Sequence, residues 1–231
     1  MVPPIANHLT DLIGNTPIVR INSLSELTGS EILVKCENMN PGGSVKDRAA
    51  LQMITDAIDE GKLKPGMAIV EGTAGNTGIG LALVGRSLGY RVLVVMPSGQ
   101  AYEKEKLVSF FGADLKLVAP CPFSNPAHFY HTARTIAEDS PDHYWWANQF
   151  ENLSNFKAHY TQTGPEILQQ TDGNLDYFVS VSGTGGTIGG VSKFLKENIP
   201  GITVALADPE GSGSCSYVQT GEYKSQGGSI T

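Results

Sequence analysis

The sequence contains few cysteines, and their spacing matches neither a disulfide framework nor a redox motif. The three, Cys36, Cys121 and Cys215, are far apart, and no C-x-x-C pair occurs. This pattern predicts free thiols in a reducing compartment. His128 and His131 have a spacing that a metal could use, but no cluster of Cys, Asp or Glu accompanies them. We therefore expect no metal site and interpret these histidines as surface or packing residues.

Long hydrophobic runs and an excess of positive charge are also lacking. No apolar stretch approaches the roughly 20 residues of a membrane-spanning helix. Residues 1–8 have neither a signal-peptide core nor the arginine-rich character of a transit peptide. Because 16 Lys and Arg stand against 23 Asp and Glu, the net charge is −7. We therefore expect neither nucleic acid nor membrane as a partner. We also expect a cytoplasmic location, with a mitochondrial one as the alternative.

Two glycine-rich loops are present, although neither is a nucleotide-binding signature. The first runs from Glu71 to Gly80 and the second, SGTGGT, from Ser182 to Thr187. Position 188 is isoleucine, so the dinucleotide fingerprint is incomplete, and no G-x-x-x-x-G-K-[ST] run occurs. Each loop lies between a predicted strand and a predicted helix, where backbone amides and short hydroxyls bind anions. The first loop suits a carboxylate and the second a phosphate.

A lysine stands at the start of a predicted helix in the run NPGGSVKDR, Asn40 to Arg48. The positive end of the helix dipole disfavours the ammonium form of Lys46 and favours a free amine. A free amine is what Schiff-base chemistry with an aldehyde needs, although most lysines in turns are merely solvated. Pyridoxal phosphate carries both an aldehyde and a phosphate, and so it fits this lysine together with the two loops.

Predicted strands and helices alternate along the chain, which indicates an α/β fold with parallel sheets covered by helices. Helix 49–60 has one apolar face, and helix 155–170 is predicted to break near Gly164 and Pro165. Residues 212–216 are predicted to form a loop. The predicted strands are 18–21, 32–36, 67–70, 91–96, 115–118, 144–147, 177–181 and 202–207, and the other predicted helices are 79–88, 102–111, 126–138 and 188–197.

Several ordered motifs resemble the cysteine synthase family, the β-replacement branch of the fold-type-II pyridoxal-phosphate enzymes. They are LIGNTP at 12–17, NPGGSVKDR, GTAGNTG at 72–78, ANQFEN at 147–152, TGPEI at 163–167 and SGTGGT. The resemblance extends from about Leu9 to the end of the chain. Position 74 is alanine where the commonest family loop has serine, so one hydroxyl is missing from the implied carboxylate pocket.

The resemblance implies a role for each matching residue. Lys46 would bond to the cofactor aldehyde and later move the α-proton, and Asn76 would hydrogen-bond the ring hydroxyl oxygen. The cofactor phosphate would be bound by Gly183, Thr184, Gly185, Gly186 and Thr187. The substrate carboxylate would be bound by Thr73, Gly75, Thr77 and Gln149.

The implied reaction is the synthesis of L-cysteine from O-acetyl-L-serine and sulfide through an aminoacrylate intermediate. The alternatives are a cystathionine β-synthase-like activity, a serine or threonine dehydratase, and a truncated non-catalytic paralogue that acts as a binding module. Dehydratases typically follow the loop asparagine with histidine, whereas Thr77 follows Asn76 here.

The resemblance also implies two lobes and partner proteins. Residues 45–151 would form a smaller mobile lobe, and residues 1–44 with 152–231 would form a larger, phosphate-binding lobe. Family catalytic cores run beyond position 231, so we expect a C-terminally truncated chain with an incomplete large lobe. A homodimer of the full-length form and a complex with serine acetyltransferase are the protein partners that the family implies.

Overall fold

In the computed structural model, which describes residues 5–224, a four-stranded parallel sheet organises the first of two units. Its strand order is β5–β4–β3–β6, so β3 has a neighbour on each side. All five residues of β3 are buried, as expected for an inner parallel strand. The strands are β3 (Ala68–Gly72), β4 (Arg91–Pro97), β5 (Asp114–Val118) and β6 (Tyr144–Trp146).

Helices cover both faces of this sheet. Consecutive side chains of a strand point to opposite faces, and apolar side chains on both faces are buried against helices. Ile69 and Val94 belong to a large buried cluster with side chains of α2 and α3, whereas Val70 and Val95 pack with α5. The helices of this unit are α1 (Asn22–Thr28), α2 (Lys46–Asp59), α3 (Asn76–Ser87), α4 (Tyr102–Phe110) and α5 (Phe129–Asp139).

A short antiparallel pair of strands precedes α2. It joins β1 (Ile18–Arg20) to β2 (Leu33–Lys35), with Val19 opposite Val34. Short 3₁₀ turns occur at Leu9–Leu12 and Glu37–Met39. The predicted strands 18–21 and 32–36 are therefore present in shortened form, and their antiparallel pairing departs from an otherwise parallel arrangement.

The second unit begins at Asn155 and contains a two-stranded parallel sheet. Its buried apolar residues include Ala158, Ile167, Val191 and Leu195. The elements from this part of the chain are α6 (Leu153–Ala158), α7 (Gly164–Gln170), β7 (Tyr177–Ser180), α8 (Gly186–Asn198), β8 (Thr203–Leu206) and α9 (Gly213–Thr220).

The predicted break near Gly164 and Pro165 is wrong. A π-helical turn, His159–Thr163, joins α6 to α7, and Gly164 keeps helical dihedral angles of −61° and −52°. Pro165 lies in the first turn of α7, where a missing amide hydrogen is tolerated. The predicted loop at 212–216 is also wrong, because Ser212 accepts a hydrogen bond from the Ser214 amide and caps α9.

The structure confirms the α/β class with mainly parallel sheets. The proposed lobes, 45–151 and the combination of 1–44 with 152–231, stay a prediction. The structure places the described residues before the lysine-bearing helix with the first unit, and residues 1–4 and 225–231 lie outside the described part. Within residues 5–224, no helix is long and apolar enough to cross a membrane.

Candidate active site

Lys46 is the first residue of α2, and the turn before it is shaped by glycine and by a buried carboxylate. Gly43 has a φ of +80°, a conformation that favours glycine. Asp47 accepts a hydrogen bond of 2.5 Å from the amide of Gly42, and a Cβ atom at Gly42 would overlap the Asp47 carboxylate. The Ser44 hydroxyl accepts from the Lys46 amide at 3.2 Å. The glycines and serine of the motif therefore fix where α2 begins.

A buried ion pair between Arg48 and Glu37 connects the first turn of α2 to the segment before it. The Arg48 side chain is fully buried, and its Nε and Nη2 donate to Glu37 Oε2 and Oε1 at 2.7 and 2.8 Å. Thr16 donates to Glu37 Oε1 at 2.6 Å, and Asn40 donates to Oε2 at 3.0 Å. The Glu37 carboxylate is thus hydrogen-bonded on both oxygens, and the pKa of Glu37 is lowered although burial opposes this. This arrangement anchors the segment that carries Lys46.

The amine of Lys46 is held towards its neutral form. Burial lowers the pKa of Lys46, because a desolvated ammonium is unfavourable. The direction agrees with the sequence expectation, and the structure adds burial as a cause. A neutral amine can attack a carbonyl carbon and can accept a proton.

The first glycine-rich loop lies beside the lysine-bearing helix. A Cβ atom at Gly80 of α3 would lie 2.9 Å from the Lys46 carbonyl oxygen, so the two helices approach closely at this point. Asn76, one turn earlier, is the exposed first residue of α3. Gly75 caps this helix, and its amide donates to Thr73 Oγ1 at 3.2 Å. The structure therefore places the predicted lysine and loop residues within one unit.

Gln149 joins this loop through a direct side-chain hydrogen bond. The Thr77 hydroxyl donates to Gln149 Oε1 at 2.5 Å, and both side chains are buried. Gln149 follows β6 in a turn where Asn148 has a φ of +47°. Of the four residues predicted for the carboxylate pocket, Thr73, Gly75, Thr77 and Gln149, the structure brings all into the same unit and joins them in two hydrogen-bonded pairs.

Glu71, which sequence reasoning did not select, lies immediately before this loop. Burial raises the pKa of Glu71 to about 8, while the nearby amides of Asn148 and Gln149 and the Gln149 side chain oppose the rise. The residue is fully buried. The sequence could have pointed to Glu71, because it is the only acidic residue of the apolar strand β3. Only the packing shows that neither of its carboxyl oxygens has a hydrogen-bond partner of ordinary geometry among the described residues.

The second loop precedes α8 in the second unit. Gly185 has a φ of +83° and caps the helix that begins at Gly186. Gly183 has open space where a Cβ atom would be. The first amides of an α-helix have no intrahelical acceptor, and they point towards a ligand placed at its N-terminus. The predicted phosphate loop therefore has the geometry of an anion site.

Two buried polar residues support this loop from the neighbouring helical segment. Asn155 Nδ2 donates to Thr184 Oγ1 at 2.7 Å. His159 Nε2 lies 3.2 Å from Thr187 Oγ1, and His159 Nδ1 lies 2.9 Å from Thr163 Oγ1. Sequence reasoning missed both residues. Their spacing of one helical turn was the signal, but buried and exposed polar pairs have the same spacing.

No metal centre accompanies these loops in the described part of the chain. Within residues 5–224 no group of three or more His, Cys, Asp or Glu could hold a metal ion. His128 and His131 contact the aromatic rings of Phe129 and Phe123 at tilted angles, and the ring centroids of His131 and Phe123 are 4.6 Å apart. Their contacts are those of packing residues.

Comparison with known proteins identifies relatives of the whole described region. The family described as "Pyridoxal-phosphate dependent enzyme" matches residues 9–228. Cysteine synthase 1 of Emericella nidulans is 51% identical over 228 residues, which are 97% of this chain and 61% of that protein. Cystathionine beta-synthase of Mus musculus is 46% identical over 213 residues, 91% of this chain and 38% of that protein. The chain thus spans less than two thirds of the length of these curated relatives.

The fold has a close counterpart among solved structures. The crystal structure of cysteine synthase from Entamoeba histolytica matches with a TM-score of 0.86 and 38% sequence identity. The match covers 99% of this chain and 68% of that one. The sequence comparison and the fold comparison therefore both find proteins named cysteine synthase.

Proposed function

The chain belongs to the pyridoxal-phosphate dependent enzyme family, and on this basis we propose that it serves the synthesis of L-cysteine from O-acetyl-L-serine and sulfide. The observation that carries the proposal is Lys46, a half-buried lysine with a lowered pKa, whose backbone carbonyl lies against Gly80 in the helix that follows the first loop. The named cysteine synthases among its relatives support the substrate assignment.

The residues present fit pyridoxal phosphate. Lys46 offers to an aldehyde an amine whose pKa is lowered by burial, and the capped start of α8 offers backbone amides to a phosphate. Space at Gly183 and Gly75, where a Cβ atom would meet no neighbour within 4 Å, leaves both loops open to a ligand. Pyridoxal phosphate, when bound, supplies an electron sink for negative charge at the α-carbon of an amino acid.

The roles of the protein side chains follow from their chemistry. Lys46 Nζ would bond to the cofactor aldehyde, take the proton from the substrate α-carbon and later return it. The Asn76 amide would donate to the ring oxygen of the cofactor. In the net reaction the bond from Cβ to acetate oxygen breaks and a bond from Cβ to sulfur forms.

The carboxylate of the substrate would be held by the first loop. Backbone amides near Gly75 and the hydroxyls of Thr73 and Thr77 can donate to carboxylate oxygens, and the Gln149 amide can add a further donor. Gly183, Thr184, Gly185, Gly186 and Thr187 would hold the cofactor phosphate. These donors would orient the α-proton towards the lysine.

A cystathionine β-synthase-like activity is the second candidate, and the identity with the mouse enzyme favours it. The two reactions differ in the leaving group, which is acetate from O-acetylserine and hydroxide from serine. Steady-state rates with each amino acid, and with sulfide or homocysteine as nucleophile, separate them. The homodimer, the serine acetyltransferase partner and the cytoplasmic location stay predictions.

The direct test is the absorption spectrum of the purified chain mixed with pyridoxal phosphate, before and after addition of O-acetylserine. We expect a visible band from the lysine-bound cofactor, and a shift of that band when O-acetylserine is added. The Lys46→Ala variant, with the same fold by circular dichroism, should show neither. A wild-type spectrum identical to that of free pyridoxal phosphate would contradict the proposal for this chain.

A further inference from the structure

Glu71 is a buried acid for which the proposed reaction has no use. It is the fourth residue of β3 and lies opposite Val94 of β4. On the other side, β6 ends at Trp146, and the Ala147 amide donates to the Val70 carbonyl at 3.1 Å. The turn of Asn148 and Gln149 therefore passes beside the Glu71 side chain.

The carboxyl group has no hydrogen bond of ordinary geometry on either oxygen. The backbone amides of Asn148 and Gln149 and the side chain of Gln149 nevertheless lie close enough to lower the pKa of Glu71. Burial outweighs them and raises that pKa to about 8, so the group carries a proton at neutral pH. A buried carboxylate without a cation would be strongly disfavoured.

Few charges face this site from the surrounding elements. From α5, the pKa of Tyr130 is raised by burial and then by the charges of Glu151 and Glu71, and Arg134 opposes this rise. From the turn after β6, the exposed Glu151 accepts from Asn148 Nδ2 at 3.1 Å. β4 contributes Val94, which is apolar, and α3 contributes the Thr77 hydroxyl through Gln149. The pKa of Glu71 is therefore determined mainly by burial and by the turn of Asn148 and Gln149.

The Gln149 amide has two ends with different neighbours. Its oxygen accepts the Thr77 hydroxyl, and its side chain also interacts with Glu71. Because the Gln149 side chain acts to lower the pKa of Glu71, it acts as a donor to the carboxyl group, and the donor of this amide is Nε2. A side-chain amide that meets an acceptor at its nitrogen end and a donor at its oxygen end has one preferred orientation.

We propose that Glu71 is a positioning residue whose neutral carboxyl group faces Gln149 Nε2 and thereby fixes the amide so that Oε1 accepts from Thr77. The functional meaning rests on the proposed function, in which Gln149 and Thr77 hold the substrate carboxylate. Opening of the turn would expose Glu71 to water, where it would ionise. The closed turn is then linked to the proton on Glu71.

The linkage gives a pH profile that can be measured without cofactor or substrate. Opening is favoured as pH rises, because the open turn releases a proton that the closed turn keeps. Hydrogen exchange of the amides of residues 147–149, corrected for the intrinsic rate, should lose protection by up to about tenfold per pH unit between pH 5 and 8. Above pH 8 the protection should level off.

Three variants separate positioning from mere burial. Glu71→Gln keeps an acceptor for Gln149 but cannot ionise, so its protection should stay high and independent of pH. Glu71→Met removes the acceptor, and its protection should be low at every pH. Glu151→Gln changes a neighbouring exposed carboxylate and should behave as the wild type. Equal pH slopes in the wild type and Glu71→Gln would overturn the proposal, as would a Glu71→Gln variant that exchanges like Glu71→Met.

Infrared difference spectroscopy tests the protonation state on the unmodified chain. The wild-type minus Glu71→Gln spectrum at pH 6.5 should contain the carbonyl stretch of a neutral carboxylic acid, and its absence would overturn the proposal. Both measurements use the cofactor-free chain. A failure of the proposed function, seen as no visible band with pyridoxal phosphate, would therefore be distinguishable from a failure of this inference.

Discussion

At the scale of single residues, burial shifts two ionisable side chains near the first loop towards their neutral forms. Burial lowers the pKa of Lys46 and raises the pKa of Glu71, because desolvation penalises the charged form of a base and of an acid alike. The two groups have different uses. The amine can react with an aldehyde, whereas the acid orients a neighbouring amide.

The lowered pKa of Lys46 predicts selective reaction with pyridoxal phosphate. Because more of its amine is unprotonated at a given pH, Lys46 should be labelled at a lower pH than the exposed Lys64. Borohydride trapping followed by peptide mass spectrometry across pH 6 to 10 measures both sites in one sample. Coincident pH profiles for the two lysines would show that burial does not activate Lys46.

The raised pKa of Glu71 predicts that stability depends on pH. The folded state keeps a proton up to about pH 8, whereas the unfolded state releases it near the ordinary glutamate pKa of 4.5. The free energy of unfolding of the wild type should therefore fall with rising pH in this window, relative to Glu71→Gln. The slope is at most about 1.4 kcal/mol per pH unit for one proton.

Urea unfolding of the wild type and Glu71→Gln at pH 5.5, 6.5 and 7.5 measures this difference. The variant should gain stability over the wild type at each step towards higher pH. A difference that is constant over the three pH values would mean that Glu71 titrates alike in the folded and unfolded chains.

At the scale of elements, both glycine-rich loops lie where a helix begins. In the loop before α3, the Gly75 amide donates a hydrogen bond to the Thr73 hydroxyl. The loop before α8 is hydrogen-bonded to the side chains of Asn155 and His159. Glycine serves two purposes in the second loop. Gly185 adopts a positive φ, and Gly186 leaves room for the Asn155 side chain.

The packing at Gly186 predicts unequal effects of two alanine substitutions. A Cβ atom at Gly186 would overlap the Asn155 amide, whereas a Cβ atom at Gly183 would meet no neighbour within 4 Å. Gly186→Ala should destabilise the ligand-free chain by about 1–3 kcal/mol through overpacking. Gly183→Ala should change stability by no more than about 0.5 kcal/mol.

Thermal unfolding followed by circular dichroism compares the two variants with the wild type. Because the measurement omits the cofactor, an effect on phosphate binding cannot produce the difference. Equal losses of stability in the two variants would show that Asn155 does not depend on the absence of a side chain at residue 186.

At the scale of the whole molecule, one apolar strand face in the described part of the second unit is exposed. Tyr177, Val179 and Val181 alternate along β7 and its continuation, and they are 64, 61 and 69% exposed. Exposed apolar surface of this kind favours association of protein molecules. The isolated chain should therefore self-associate as its concentration rises.

Replacing Val179 and Val181 together by Thr should weaken this association while leaving the free energy of unfolding within about 0.5 kcal/mol. Thr keeps the shape and strand preference of Val but adds a polar hydroxyl. Sedimentation velocity over a range of concentrations measures the association. Val191→Thr is a matched substitution at a fully buried site and should cost about 1–3 kcal/mol. A wild-type chain that stays monomeric throughout would contradict the prediction.

Sequence reasoning alone predicts the alternation of strands and helices, a helix after the run that contains Lys46, the two glycine-rich loops and the family. These features depend on local order along the chain, such as glycines between an apolar strand and a helix, and local order can be read without a fold. In contrast, the burial of a side chain and its contacts with residues distant in the sequence are seen only in the tertiary structure. The proton on Glu71, the support of the second loop by Asn155 and His159, and the continuous helical path through Pro165 all depend on contacts or strain that packing creates. Burial is a property of the assembled elements, and the same residue types in the same order are compatible with exposed or buried positions.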